Sequence, residues 1–228
     1  MPPVHHPPVH HPSDELLLDY AAGSTDEPTS LMLATHLALC PGCRDTVARF
    51  ESVGGALLEE IEPAALAPDA LDCLLARLDD QVPQVPASVP RSPAAGGAPS
   101  LMPEPLRSYV GAGLEAIRWK RVMHGVEQAR IAVGGHGGEV KARLLRIRPG
   151  IRIPRHTHAG VEMTLVLAGG FSDGDGHYLR GDFSFSDGEV DHSPVADEDG
   201  ECICLTVTDA PLRLTGPLMR LLNPFVRF

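Results

Sequence analysis

The stretch HLALCPGC contains three side chains that can bind a metal ion, His36, Cys40 and Cys43. If a helix ends near Cys40, then His36 and Cys40 lie on one helical face, and Cys43 follows one turn later. Thiolates and imidazoles are typical ligands of tetrahedral zinc, which requires a fourth ligand. The candidates for this fourth ligand are the N-terminal histidines His5, His6, His10 and His11.

Two other interpretations of the CPGC motif compete with metal binding. A thioredoxin-like redox motif follows a β-strand, whereas the residues before Cys40 have a helical pattern. Both thiols could also be ordinary core residues, since free cysteine is often buried. The upstream His36 and the small size of the predicted helical core favour metal binding over both alternatives.

A second group of metal-binding side chains lies further along the chain, in GIRIPRHTHAGVEMTLVLAG and GDFSFSDGEVDH. His156 and His158 are two residues apart on a predicted strand, so both point to one face of the sheet. Glu162 comes from the next strand, and His192 comes from the second stretch. Three imidazoles and one carboxylate that face a barrel interior form a site for a divalent metal ion.

This second pattern resembles the cupin signature, G-x5-H-x-H-x3-E-x6-G followed by a later glycine and histidine. The later half departs from it, because Asp187, Glu189 and Ala196 stand where cupins usually have proline, glycine and asparagine. Chance alternation of histidines on a strand is the other interpretation, and the matched spacing of Glu162 and His192 disfavours it. A cupin metal site is either open to a substrate or closed and sensory, and the pattern leaves both open.

The stretch ECICL places Cys202 and Cys204 two residues apart on a predicted strand. Their side chains share one face, at a spacing that would strain a direct disulfide. Packing in the core is the simpler interpretation of the two thiols. The alternative is a redox pair, Cys202 and Cys204, that reacts with oxidants near the cupin site.

The elements that position these groups change character along the chain. Four short helices are predicted between Ser13, a typical N-cap, and residue 80. The fourth helix has an apolar stripe of Leu71, Leu74, Leu75 and Leu78. Four such helices form only a small core, so a bound metal ion would add stability.

Short β-type stretches separated by glycine-rich turns begin near residue 109, after a segment with seven prolines in residues 81–105. We therefore predict an α + β multidomain protein. A small four-helix zinc domain occupies residues 1–80, an exposed proline-rich linker occupies residues 81–108, and a cupin β-barrel (jelly roll) occupies residues 109–228.

The charge is distributed unevenly and argues against nucleic-acid binding. The first 82 residues contain 14 acidic residues and three arginines, whereas the remaining residues contain 16 of each sign. Such an acidic module suits a basic protein partner, although a solvated acidic surface kept for solubility is the simpler alternative. The sequence has no secretory signal and no apolar run of membrane-spanning length, so we expect a cytoplasmic protein. Its five cysteines then favour metal or thiol chemistry over disulfides.

The two modules together resemble the ChrR-type zinc anti-sigma factors. The resemblance is carried by HHPSDELLLDYAAGS, then by ATHLALCPGC, and by the cupin pattern that follows. It implies that His11, His36, Cys40 and Cys43 bind Zn²⁺. It also implies that a divalent metal, with zinc as the expected ion, is bound by His156, His158, Glu162 and His192.

The same resemblance implies a function. The helical domain is expected to sequester an extracytoplasmic-function sigma factor. The cupin domain is expected to release it on an oxidative signal, such as singlet oxygen or an organic peroxide. We expect no enzymatic activity, no direct contact with nucleic acid and no membrane association. The competing hypothesis is a metal-dependent cupin dioxygenase with a helical accessory domain, and a metal-storage protein comes third.

Overall fold

Within the residues that the structure describes, five helices precede eleven β-strands. The structure is a computed structural model and describes residues 6–78, 102–111, 113–114, 117–133, 140–216 and 223. The helices are α1 (Asp14–Ala21), α2 (Glu27–Leu39), α3 (Pro41–Glu59), α4 (Ala70–Leu78) and α5 (Glu104–Val110). The strands are β1 (Lys120–Met123), β2 (Val126–Arg130), β3 (Lys141–Ile147), β4 (His156–His158), β5 (Glu162–Ala168), β6 (Gly170–Ser172), β7 (His177–Leu179), β8 (Phe183–Ser186), β9 (Val195–Ala196), β10 (Cys202–Thr208) and β11 (Leu212–Leu214).

The corner between α2 and α3 follows from local sequence. Asp26 caps α2 by accepting a hydrogen bond from the Thr29 amide at 2.8 Å. The helix ends before Cys40, whose backbone is extended, and α3 begins at Pro41. Proline is favoured in a first helical turn, because its missing N–H would have no partner there. The corner brings Cys43 back beside the end of α2.

The strands form antiparallel sheets. The largest sheet has six strands in the order β1-β2-β3-β10-β5-β8, and smaller sheets pair β11 with β4 and join β7, β6 and β9. In the six-stranded sheet β10 lies between β3 and β5, and each of its seven residues is buried. The β region is therefore the cupin-like domain that the sequence predicts, and the helical region precedes it.

One face of the six-stranded sheet packs on helices. Leu31 and Met32 of α2 are at most 4% exposed and share an apolar cluster with Leu144 and Leu165 of the sheet. Leu106 of α5 belongs to the same cluster and is fully buried. Each such side chain contributes about 1.5–3 kcal/mol when buried. The burial that stabilises the sheet therefore also anchors α2.

The described residues fall into two compact units. One unit joins the residues up to 52 with those from 102 onward, and the other comprises residues 53–78. The helices before residue 52 have an apolar cluster of their own, which includes Leu17, Leu33, Leu37 and Val47. The domain limits at residues 80 and 108 stay a prediction, because packing does not report which segment folds by itself.

The predicted linker is described only at its end. Residues 81–101 lie outside the described residues, whereas Glu104–Val110 forms α5. The apolar stripe of α4 is exposed, with the four leucines between 51% and 71% accessible. None of the helices in the described part of the chain combines the length and the hydropathy needed to cross a bilayer.

Candidate metal sites

Four predicted ligands meet where the N-terminal segment, α2 and α3 converge. We call His11, His36, Cys40 and Cys43 the helical site, and its ligand atoms all lie within 4.8 Å of one another. His36 Nε2 lies 3.3 Å from Cys43 Sγ, and His11 Nδ1 lies 3.5 Å from both sulfur atoms. Tetrahedral zinc would separate a nitrogen ligand from a sulfur ligand by about 3.6 Å, given the usual bond lengths. The four side chains therefore fit a tetrahedral metal ion.

The β region holds two of these ligands in place. His36 Nδ1 donates a hydrogen bond to the Gly181 carbonyl at 2.9 Å, which leaves Nε2 free to bind a metal. The Asp182 carboxylate accepts hydrogen bonds from the amides of Val9, at 2.7 Å, and His10, at 3.0 Å. These bonds fix the chain immediately before His11.

The same contacts distinguish among the N-terminal histidines. The His10 ring lies beside Tyr178 and points its Nδ1 toward Asp182 at 3.5 Å, away from the thiols. His6 is exposed, and His5 lies outside the described residues. Among the described N-terminal histidines, His11 is thus the one that joins the group.

Three residues of the helical site, His36, Cys40 and Cys43, are buried and His11 is exposed, and burial disfavours charge on the three buried side chains. Burial lowers the pKa of His36 to about 4, so this imidazole is neutral and able to bind a metal. Burial also raises the pKa of Cys43 to about 12, and the hydrogen bond with Cys40 adds to this effect. A cation is then required to hold the thiolate form, so metal binding would release protons.

The second group forms inside the barrel. We call His156, His158, Glu162 and His192 the barrel site, and its ligand atoms also lie within 4.8 Å of one another. The backbones of His156 and His192 exchange two hydrogen bonds of 3.0 Å, which place the two rings side by side. His158 Nε2 lies 3.3 Å from His192 Nε2, a separation that suits two ligands of one metal ion.

Two acceptors orient the rings of the barrel site. His156 Nδ1 donates to the Pro154 carbonyl at 2.8 Å, and His192 Nδ1 donates to Asp173 at 3.0 Å. Both bonds leave Nε2 free for the metal, as in carboxylate–histidine–metal triads. Burial lowers the pKa of His158 to about 4 and raises the pKa of Glu162. A divalent ion would hold Glu162 in its charged form.

The barrel site adjoins a cavity of about 300 Å³. His156, Glu162 and His192 line it, and so does Cys204. Cys202 and Cys204 are buried, and their sulfur atoms are 3.5 Å apart. The hydrogen bond with Cys202 and burial raise the pKa of Cys204 well above its ordinary value, so its thiol is protonated.

Three side chains that support the sites were missed in the sequence. Asp173 and Asp182 act on ligands far away in the chain, and no local pattern points to them. Arg143 lies on the cavity side of β3 together with Leu145 and Ile147. The alternation in KARLLRI points to this placement of Arg143, because a strand places every second residue on one face.

Comparisons with known proteins find a family model that matches the β region, and a relative and a solved structure that match most of the chain. The family described as the ChrR cupin-like domain matches residues 109–210. Anti-sigma-E factor ChrR of Cereibacter sphaeroides is 45% identical over 215 residues, which cover 94% of this chain and 96% of that protein. The crystal structure of Rhodobacter sphaeroides SigE in complex with the anti-sigma ChrR matches with a TM-score of 0.72 and 43% identity. That match covers 88% of this chain and 98% of the matched chain.

Proposed function

The chain belongs to the ChrR family of anti-sigma factors, and we propose that it sequesters an extracytoplasmic-function sigma factor and releases it on an oxidative signal. Its relative was crystallised in complex with SigE, which names the class of partner. The zinc-bound helical region would hold the sigma factor, and the cupin barrel would control release. The protein itself would neither touch nucleic acid nor catalyse a reaction.

The observation that carries this proposal is the apolar surface of residues 53–78. Exposed apolar side chains in this segment are between 51% and 82% accessible: Val53, Leu57, Leu58, Ile61, Leu66, Leu71, Leu74, Leu75 and Leu78. A large exposed apolar patch on a folded protein marks an interaction surface. Five acidic residues and one arginine accompany these side chains in the same segment. An apolar partner groove with a basic rim would complement this surface.

The helical site lies at the start of the helix that leads into this segment. Cys43 lies in the first turn of α3, and Val47 one turn later is 5% exposed. The same helix continues to Val53 and Leu57, which are exposed. A metal ion that binds Cys43 would therefore hold the base of the helix that presents the sigma-binding side chains. Two thiolates among the four ligands favour zinc as this ion.

The barrel would act as the sensor because it contacts the helical site directly. Glu162 begins β5, which pairs with β8, and Val166 of β5 exchanges backbone hydrogen bonds with Gly181 and Asp182. Gly181 in turn contacts His36. A change at the barrel metal, for which we expect zinc, or at Cys202 and Cys204 could thus reach the helical site through one strand.

Sigma-factor capture can be tested with the full-length protein. It should co-purify with the SigE-like sigma factor of the same organism and repress transcription by that factor, and we expect both proteins in the cytoplasm. Replacing Leu74→Glu and Leu78→Glu together should weaken binding roughly 30-fold or more, because charges would replace apolar anchors. Ala76→Glu, on the opposite face of α4, is the matched control and should bind normally. Zinc-loaded wild-type protein that fails to bind would contradict the proposal.

A further inference from the structure

The cavity beside the barrel site has an unusual mixture of walls. Its volume of about 300 Å³ is at the lower end of the range for small-molecule pockets. One wall is apolar and includes Val126, Leu145, Ile147 and Phe171. A hydrocarbon group would fit against this wall.

A positive charge faces the cavity, where the Glu162 carboxylate attracts Arg143 but forms neither a hydrogen bond nor an ion pair with it. Arg143 lines the cavity and is 5% exposed, and its Nε and Nη2 atoms are buried without a hydrogen-bond partner. None of the ion pairs among the described residues includes Arg143. Arginine cannot lose its charge in a protein, and an unpaired buried charge is costly. The side chain is therefore arranged to meet an anion.

Hydroxyl groups continue the polar wall from Arg143 across the sheet. Strand register places Thr206 opposite Arg143, Thr164 opposite Thr206, and Ser184 opposite Thr164. All four residues line the cavity. Arg143 and Thr206, on neighbouring strands, can donate hydrogen bonds to one anionic group, and the apolar wall lies on the same inner face.

We propose that this cavity binds a small monocarboxylic acid with an apolar body. The Arg143 guanidinium, which matches a carboxylate with two parallel N–H donors, binds the acid group. The hydrocarbon body lies against Leu145, Ile147 and Phe171. Glu162 is not the anion that Arg143 binds, because Glu162 belongs to the barrel site. Acid binding at Arg143 is separate from sigma-factor capture, so it can be measured without the sigma factor.

The test uses full-length protein of measured metal content and a series of straight-chain acids from acetate to decanoate. Calorimetry and thermal unfolding should show binding that strengthens with chain length until the cavity is filled. Octanoate should bind at least about tenfold more tightly than 1-octanol, which has the same body without the charge. Inorganic phosphate, which lacks an apolar body, should not bind. Octanol binding as tightly as octanoate, or no binding by any acid, overturns the proposal.

A matched pair of variants assigns the effect to Arg143. Arg143→Gln should weaken octanoate binding by about tenfold or more, with unchanged metal content. Arg130→Gln removes the exposed arginine that lies opposite Arg143 in the strand register of β2 and β3. This variant should bind octanoate like the wild type. The ligand-free Arg143→Gln protein should unfold at the same or a higher temperature, because the variant removes an unpaired buried charge. A structural role would instead lower that temperature, and octanoate binding equal to wild type would place the acid elsewhere.

Discussion

The helical site and the barrel site each bring four ligands together, but their surroundings differ. The helical site contains two thiols, and among the described residues none of its side chains lines the barrel cavity. The barrel site contains no thiol, and three of its four ligands line that cavity. A closed tetrahedral site suits a structural metal, whereas a site beside a cavity lets small molecules approach the metal. The difference fits our proposal that one site stabilises the structure and the other receives the signal.

Both sites are nevertheless supported by the same β region. His36 of the helical site is held by the Gly181 carbonyl, and His192 of the barrel site is held by Asp173. The closed site is therefore not independent of the barrel. Four experiments test how far the two sites differ.

The largest effect is expected when the helical site loses its thiols. Cys40→Ala together with Cys43→Ala should remove about one metal ion per chain and abolish sigma-factor binding, since the base of α3 is no longer held. Metal analysis and co-purification measure the two results. The barrel should keep its metal and its fold, because its core lies in the sheet. Unchanged metal content in this variant would refute the ligand assignment.

The corresponding change in the barrel should separate repression from release. His156→Ala together with His158→Ala should remove the other metal ion but leave sigma-factor binding intact. Transcription from a sigma-dependent promoter should then stay repressed when an oxidant is added. His124→Ala, at an exposed histidine, serves as the control. Full induction in the double variant, with metal absent from the barrel, would mean that the barrel site is not the sensor.

A pH titration compares the two sites without metal. Burial lowers the pKa of His36 and of His158 from 6.5 to about 4. Between these pH values the unfolded chain binds protons that the folded chain excludes, so stability is full above pH 6.5 and falls as the pH drops toward 4. Each histidine should account for about 3 kcal/mol of this loss.

Urea unfolding of chelator-treated protein at neutral pH and at about pH 4.5 measures this loss. His36→Gln and His158→Gln should each reduce the pH dependence by a similar amount, and His124→Gln should leave it unchanged. A loss that one variant abolishes entirely would show that the two sites are not equivalent in the metal-free protein.

A smaller effect is expected at Asp182, which connects the barrel to the helical site. Its carboxylate accepts hydrogen bonds from the amides of Val9, His10 and Leu179. Asp182→Asn should cost about 1–3 kcal/mol of stability and weaken metal binding at the helical site about tenfold. A competition titration with a chelator measures the affinity, and Asp175→Asn, at an exposed turn position, is the control. Equal weakening at both sites would indicate general loosening rather than a specific contact.

Both ligand groups could be predicted because their key features are local. The spacing of His36, Cys40 and Cys43 follows from one helix and its corner, and His156 and His158 follow from strand alternation. The structure brings these predicted residues together, and metal binding by them stays a prediction. The ChrR-type anti-sigma family was also recognised from these patterns, and the relative confirms it.

Contacts between distant parts of the chain decided the rest. The sequence offered four N-terminal histidines, and the hydrogen bonds to Asp182, about 170 residues away, select His11. The packing of α2 on the sheet and the unpaired Arg143 also depend on which surfaces meet. Periodicity specifies which face of an element is apolar, but not which surface covers that face. The sequence by itself therefore determined the elements and the chemistry of the two sites, and only the tertiary structure decided that the helical site rests on the barrel.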